Sequence, residues 1–143
     1  LVDGYNEYWK TGSSTRYPWC AMACSTWIGV GLGLGTSSTT IDWAKHPFKK
    51  YFGGAAQIED WAKKNGGFVE GSGTPPAGGC FTMARGGSGS DTGGSAAKAG
   101  HVGLIVCDNG DGTFTTVEGN VSNKVKSYRR KKADVIGYEK WWV

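Results

Sequence analysis

Apolar residues recur at helical spacing in the first half of the chain. One such set lies in the segment 19–30, which we predict to be a buried helix: Trp19, Met22, Ala23 and Trp27. The Gly-rich sequence GVGLGLG that follows indicates where this helix ends. A second helix is predicted in AAQIEDWAKKN, residues 55–65, which carries Ala56, Ile58, Trp61 and Ala62 and stops before the glycines at 66 and 67. IDWAKHPFKKYF, residues 41–52, is predicted as a further helix interrupted by Pro47.

After Gly71 the pattern changes to short runs that are typical of β-strands. These runs cover residues 79–84, HVGLIVC, TFTTVEGN, KVKSYRR and ADVIGYEKWW. DNGDG, between the second and third of these runs, predicts a hairpin, and the Gly/Ser-rich segment 85–100 predicts a loop. Helices followed by antiparallel strands predict one α+β domain over residues 1–143.

The hairpin predicts which residues face each other across its two strands. With a two-residue turn at Asn109-Gly110, His101 lies opposite Glu118, and Asn120 lies on the same face as Glu118. The same register gives two apolar pairs, Val102 with Val117 and Ile105 with Phe114. A turn at Asp111-Gly112 would instead pair His101 with Ser122. A carboxylate beside an imidazole holds one tautomer, although such a pair is equally typical of a protein surface.

The cysteines leave three interpretations open: a nucleophile, a metal pair or core packing. Cys20 follows Pro18 at the predicted start of a helix, where unpaired N–H groups and the helix dipole favour a thiolate. Cys24 lies one turn deeper on the same face, and we expect it to be a packing residue. The C-x3-C spacing also falls within that of zinc ligands. A bridge or thiol contact between Cys80 and Cys107 stays open as well.

Length, composition and the N-terminal segment limit which kinds of protein this chain can be. The 143 residues suffice for one domain, and seven Trp, six Tyr and five Phe supply its core. No apolar run approaches the roughly 18 residues that cross a bilayer. The start LVDGYNEYW has neither an initiator Met nor the features of a signal peptide, so we expect a processed or excised part of a longer protein.

Two further features are interpreted as structural. The run KVKSYRRKK, residues 124–132, carries six cations, and we interpret it as a solvated strand face. Contact of this run with anionic wall polymers or nucleic acid is the alternative. His46, beside Pro47, has no partner visible in the sequence and is predicted to be a structural residue.

Three motifs in this order resemble the CHAP family, the cysteine, histidine-dependent amidohydrolases/peptidases. They are PWCA at the predicted helix start, GHVGLIV on one strand and TVEGN at the end of the next. The similarity covers about residues 5–138. It implies a papain-like α+β fold, with N-terminal helices packed on an antiparallel β-sheet, in a lytic domain of the phage lysin type. It also implies hydrolysis of an amide bond in the peptide part of bacterial peptidoglycan.

The resemblance also implies a role for each of four residues. Cys20 would be the nucleophile and His101 the general base, while Glu118 would orient His101 and Asn120 would support the site. No cofactor and no metal are implied. We expect bacterial peptidoglycan as the partner, no specific nucleic acid, no membrane span and a monomer. The expected place of action is the bacterial cell wall, for a secreted, phage-released or virion-associated protein.

Two other functions remain as alternatives. One is a wall-binding or structural virion module that keeps the fold without catalysis. The other is a papain-like protease that acts on proteins with the same chemistry. Within the leading hypothesis, amidase and endopeptidase cleavage would use the same residues, so the sequence does not identify the bond.

Overall fold

The computed structural model describes residues 19–84, 99–121 and 124–143. Within these residues, two helices pack on one six-stranded antiparallel sheet, which confirms the predicted α+β class. The elements are α1 Cys20–Gly31, α2 Ala55–Asn65, β1 Phe68–Glu70, β2 Cys80–Met83, β3 His101–Asp108, β4 Thr113–Val121, β5 Lys124–Lys131, a 3-10 turn at Lys132–Asp134, and β6 Gly137–Glu139. The strand order is β1-β6-β2-β3-β4-β5, which puts β5 at one edge. No helix in the described ranges is long and apolar enough to cross a membrane.

The two helices confirm two of the three helical predictions. Helix α1 corresponds to the helix predicted over residues 19–30. It begins at Cys20, with Trp19 as its N-cap residue. Helix α2 ends at Asn65, and its C-cap residue Gly66 adopts a left-handed conformation with φ 79° that suits glycine. The predicted loop 85–100 falls mostly on residues 85–98, and both these and Pro18 lie outside the described residues.

The prediction of a helix over residues 41–52 is wrong. The segment forms successive turns, in which the N–H groups of Lys45, His46 and Lys49 each bond to the carbonyl three residues before. Pro47 lacks an N–H group and disfavours helical geometry at the residue before it.

The His46 side chain fixes this segment of turns. Its Nε2 lies 2.8 Å from the carbonyl oxygen of Ser25 in α1, and its Nδ1 accepts the N–H of Phe48 at 3.0 Å. Burial lowers the pKa of His46, although its bond to the Ser25 carbonyl opposes this effect. His46 is therefore a buried, hydrogen-bonded structural residue, as predicted.

The sheet carries a core on each face. Gly119 of β4 faces α1, since a Cβ atom built there would lie 2.6 Å from the Trp19 ring and 2.9 Å from the Ala23 side chain. Side chains alternate along a strand, so Glu118 points to the opposite face. There Phe114 packs edge-on against other buried rings, at centroid distances of 5.3 Å to Phe81 and 5.5 Å to Tyr138.

The predicted hairpin is present, but its predicted register is wrong. Observed partners are Leu104 with Val117, Ile105 with Thr116, Cys107 with Thr115, and Asp108 with Phe114, with a bulge between Ile105 and Cys107. The predicted pairs His101–Glu118, Val102–Val117 and Ile105–Phe114 therefore do not lie directly opposite each other. The alternative pairing of His101 with Ser122 does not follow from the observed register either.

The turn chemistry explains the different register. The connection is the four-residue segment 109–112, and both of its glycines have positive φ, 80° at Gly110 and 87° at Gly112. The Asp108 side chain accepts the N–H of Gly110 at 3.1 Å, and the Asp111 side chain accepts the N–H of Thr113 at 3.1 Å. Aspartate side chains commonly stabilise turns in this way, and two in succession favour a longer loop over a two-residue turn.

The positions of Cys80 and Cys107 answer whether these two residues form a bridge. Cys80 is buried in β2, where its partner across the ladder is Leu104, whereas Cys107 is exposed in β3. Both thiols are free, and the two cysteines are not joined by a disulfide.

Candidate active site

His101 and Glu118 form a buried, hydrogen-bonded pair at the centre of the site. The Nε2 atom of His101 lies 2.7 Å from Oε1 of Glu118, and the side chains are 6% and 0% exposed. Continuing the observed register places Gly103, not His101, opposite Glu118, and a Cβ atom at Gly103 would lie 2.7 Å from Cγ of Glu118. The two residues therefore meet diagonally, which cross-strand neighbours offset by two positions can do.

Cys20 reaches the other side of the His101 ring. It is the first residue of α1, is 3% exposed, and hydrogen-bonds through its side chain to His101. Because Nε2 of His101 contacts Glu118, Nδ1 is the ring nitrogen that faces the thiol. His101 thus connects a cysteine at a helix N-terminus with a carboxylate on the neighbouring strand.

The electrostatics of the pair favour a charged imidazole beside a charged carboxylate. Burial disfavours the charged ring, but hydrogen bonds to Cys20 and Glu118 outweigh it and raise the pKa of His101. Burial also opposes ionisation of Glu118, yet its hydrogen bonds, from Arg130 first and then His101 and Thr116, lower its pKa to about 2. Glu118 therefore stays a carboxylate at neutral pH.

Arg130 and Thr116 complete the surroundings of Glu118. Arg130 donates to both carboxylate oxygens, from Nε to Oε2 at 2.8 Å and from Nη2 to Oε1. The Thr116 hydroxyl donates to Oε2 at 2.5 Å. Every oxygen of this buried carboxylate thus has at least two donors.

Sequence reasoning missed both of these residues. Thr116 lies two positions before Glu118, so the alternation of side chains along a strand could have found it. Arg130 lies in the run of six cations that was interpreted as a solvated strand face. That interpretation is wrong for Arg130, because it lies on the face of β5 that meets Glu118. No local pattern distinguishes it from Arg129, which pairs with the exposed turn residue Asp111 at 3.3 Å.

The other predicted residues are placed as follows. Asn120 lies in β4, two residues after Glu118, and its side chain lies outside what the structure describes. Cys24 is fully buried one turn below Cys20, as predicted, and its thiol contacts that of Cys80. Burial and this contact raise the pKa of the Cys24 thiol well above its usual value. Among the described residues, no group of three or more His, Cys, Asp or Glu side chains could hold a metal ion.

A family model for the CHAP domain matches residues 12–120, which is about three quarters of the chain. The matched segment includes Cys20, His101, Glu118 and Asn120 and ends before Arg130. No curated protein matches the chain. The chain belongs to the CHAP domain family, whose members are in general hydrolases of the amidase or peptidase type that act on cell-wall peptidoglycan.

Proposed function

We propose that this protein cleaves an amide bond in the peptide part of bacterial peptidoglycan, with Cys20 as the nucleophile and His101 as the general acid and base. The observation that supports this most is the position of His101 between the Cys20 thiol and the Glu118 carboxylate. A nucleophile, a base within hydrogen-bonding reach and a third group that orients the base are the parts that acyl transfer needs.

The first half of the reaction forms a thioester. The Cys20 thiolate attacks the scissile carbonyl carbon, and the carbonyl oxygen takes on negative charge. The C–N bond then breaks, its electron pair goes to the nitrogen, and His101 gives its Nδ1 proton to the leaving amine. The backbone N–H of Cys20, at the N-terminus of α1, is a donor for the oxyanion.

The second half releases the acyl group. His101, now neutral, takes a proton from a water molecule, and the resulting hydroxide attacks the thioester carbonyl. The C–S bond breaks and its electron pair returns to the Cys20 sulfur, which restores the thiolate beside the imidazolium. Glu118 keeps the Nε2–H of His101 directed toward itself through both halves, and Asn120 supports the site.

The site of action follows from the substrate. Peptidoglycan lies outside the cytoplasm, so the protein works at the bacterial cell wall as a secreted, phage-released or virion-associated hydrolase. A phage lysin is the form that we favour. All groups in this mechanism come from one chain, so a monomer suffices.

Digestion of purified cell-wall sacculi tests the proposal. The protein should release free amino groups, and mass spectrometry of the soluble fragments should show whether the new terminus is an L-alanine freed from muramic acid or lies within the stem or crossbridge. Sedimentation with sacculi without release of amino groups would contradict the proposal and indicate a wall-binding module. Cleavage of denatured protein substrates but not of sacculi would contradict it in favour of a protease.

A further inference from the structure

We propose that Arg130 is a positioning residue of this site, which holds the Glu118 carboxylate through a two-point salt bridge and thereby fixes the ring of His101. This inference rests on the proposed function, in which His101 carries the protons. Arg130 lies on β5, beyond the segment 12–120 that the CHAP family model matches.

The contact between Arg130 and Glu118 has the geometry of a planar fork. Nε and Nη2 of the guanidinium each donate to a different oxygen of the carboxylate. Such bidentate pairs fix the orientation of both groups in addition to binding them. Glu118 is fully buried and the Arg130 side chain is 24% exposed, so solvent screens this pair far less than a surface pair.

Arg130 reaches Glu118 along the sheet and not from directly across it. Arg130 is the ladder partner of Phe114, whereas the partner of Glu118 is the exposed Lys126. The guanidinium passes over the ring of Tyr128, with 4.6 Å between its central carbon and the ring centroid. The long planar side chain is therefore held by a ring on one side and by a carboxylate at its end.

The shared oxygen of Glu118 links Arg130 to His101. Oε1 accepts both from Nη2 of Arg130 and from Nε2 of His101, while Oε2 accepts from Nε of Arg130 and from Thr116. With both oxygens occupied, the carboxylate cannot rotate without losing several bonds at once. A buried carboxylate without a cation would tend to take up a proton, and would then lose its strength as the acceptor for His101.

Two neighbouring arginines allow a matched experiment. Arg130→Gln removes one positive charge from the site, and Arg129→Gln removes one from the surface pair with Asp111. On solubilised peptidoglycan, we expect Arg130→Gln to lower kcat by about 10- to 100-fold with KM within about twofold, because the ring of His101 would be less firmly oriented while substrate contacts stay the same. Arg129→Gln should leave both values unchanged. Arg130→Lys keeps the charge without the fork and should restore part of kcat.

The pH profile separates positioning from a general loss of structure. Removal of a nearby cation raises the pKa of every neighbouring acid, so the acid limb of kcat/KM should move to higher pH in Arg130→Gln, by about one unit. In a Glu118→Gln background the loss of kcat caused by Arg130→Gln should largely disappear, because Arg130 positions His101 through that carboxylate. If Arg130→Gln costs as much activity in the Glu118→Gln background as in the wild type, the inference is wrong. If Arg130→Gln fails to fold, two other variants replace it in these measurements. They are Arg130→Lys, and Arg130→Gln combined with Glu118→Gln, which buries no unpaired charge.

Alkylation of Cys20 by iodoacetamide tests the same relationship without any substrate. Labelling is followed by peptide mapping in a Cys107→Ser background, because Cys107 is exposed. The pH at which Cys20 becomes reactive should rise by about one unit in Arg130→Gln and stay constant in Arg129→Gln. If Arg130→Gln shifts the pH at which Cys20 is labelled but the parent protein does not hydrolyse sacculi, the role of Arg130 is supported and the proposed function is contradicted. If the parent protein hydrolyses sacculi but Arg130→Gln shifts neither the pH profile of kcat/KM nor that of Cys20 labelling, the role of Arg130 is overturned and the proposed function stays intact.

Discussion

Gly119 of β4 lies directly against the ring of Trp19, the residue that precedes Cys20. A Cβ atom on Gly119 would lie 2.6 Å from the Trp19 ring, a distance that real Cβ contacts essentially never show. Trp19 is fully buried and cannot turn away into solvent. This contact sets the distance between the start of α1 and β4, and hence between Cys20 and the strand that carries Glu118.

Gly119→Ala should therefore disturb both stability and activity. We expect a loss of about 1–3 kcal/mol in the free energy of unfolding, as is usual for overpacking, and a lower kcat because α1 must shift. Gly31→Ala is the control, since no atom lies within 4 Å of a Cβ atom at that position. That variant should be neutral or up to about 1 kcal/mol more stable. Denaturant unfolding of the two variants measures the difference, and equal stability would contradict the packing account.

Glu118→Gln tests the electrostatic part of the site. The hydrogen bond and negative charge of Glu118 contribute to the raised pKa of His101. Without that charge the imidazolium should lose its proton at lower pH, so the alkaline limb of kcat/KM should move to lower pH and kcat should fall by roughly 10- to 100-fold.

Nuclear magnetic resonance gives a direct measurement of the same effect. The chain has two histidines, so His46 serves as an internal reference for the titration of His101. Asp111→Asn is the control, because it removes the charge of the exposed pair with Arg129 while an amide oxygen can still accept the N–H of Thr113. An unchanged His101 titration in Glu118→Gln would show that the carboxylate does not act on the ring.

Glu139 should make the folded protein less stable as the pH rises. Its Oε2 accepts from the Thr82 hydroxyl at 2.9 Å, while its Oε1 has no hydrogen-bond partner among the described residues. Burial raises the pKa of Glu139 well above its usual value of 4.5. The folded state therefore keeps a proton that the unfolded chain releases, so the contribution to stability is complete below about pH 4.5 and declines as the pH rises toward the folded pKa.

Glu139→Gln removes this dependence because an amide cannot ionise. We expect the variant to be at least as stable as the wild type at pH 8, and to lose less stability between pH 5 and pH 8. The exposed Glu70→Gln is the control for the change in net charge. Thermal unfolding across this pH range measures both, and a variant that is less stable than the wild type at pH 8 would show that Glu139 is ionised in the fold.

The spacing of apolar residues predicts the two helices and most strands, but it does not reveal the geometry of the turns. The wrong helix over residues 41–52 has a helical spacing of apolar residues, but Pro47 and the buried His46 side chain favour turns. The hairpin register depended on two aspartate-stabilised turns and a bulge, which no apolar pattern records. β1 was missed because three residues, Phe68–Glu70, are too short to show alternation.

The pairing of His101 with Glu118 was nevertheless foreseen, for a physical reason. The observed register differs from the predicted one by two positions next to the site, and a shift of two keeps each side chain on its face of the sheet. His101 and Glu118 therefore still meet, although diagonally. Arg130 could not be foreseen, because its contact depends on how β5 pairs with β4 and on the passage of its side chain over Tyr128.

The central claim, that Cys20 is the nucleophile, is tested most directly by comparing two single cysteine substitutions on purified sacculi. Cys20→Ala should lower the release of amino groups by roughly 10³-fold or more while the protein stays folded. Cys107→Ala removes an exposed thiol on β3 and should keep the full rate. A folded Cys20→Ala protein that hydrolyses sacculi at a rate close to that of Cys107→Ala would contradict the account.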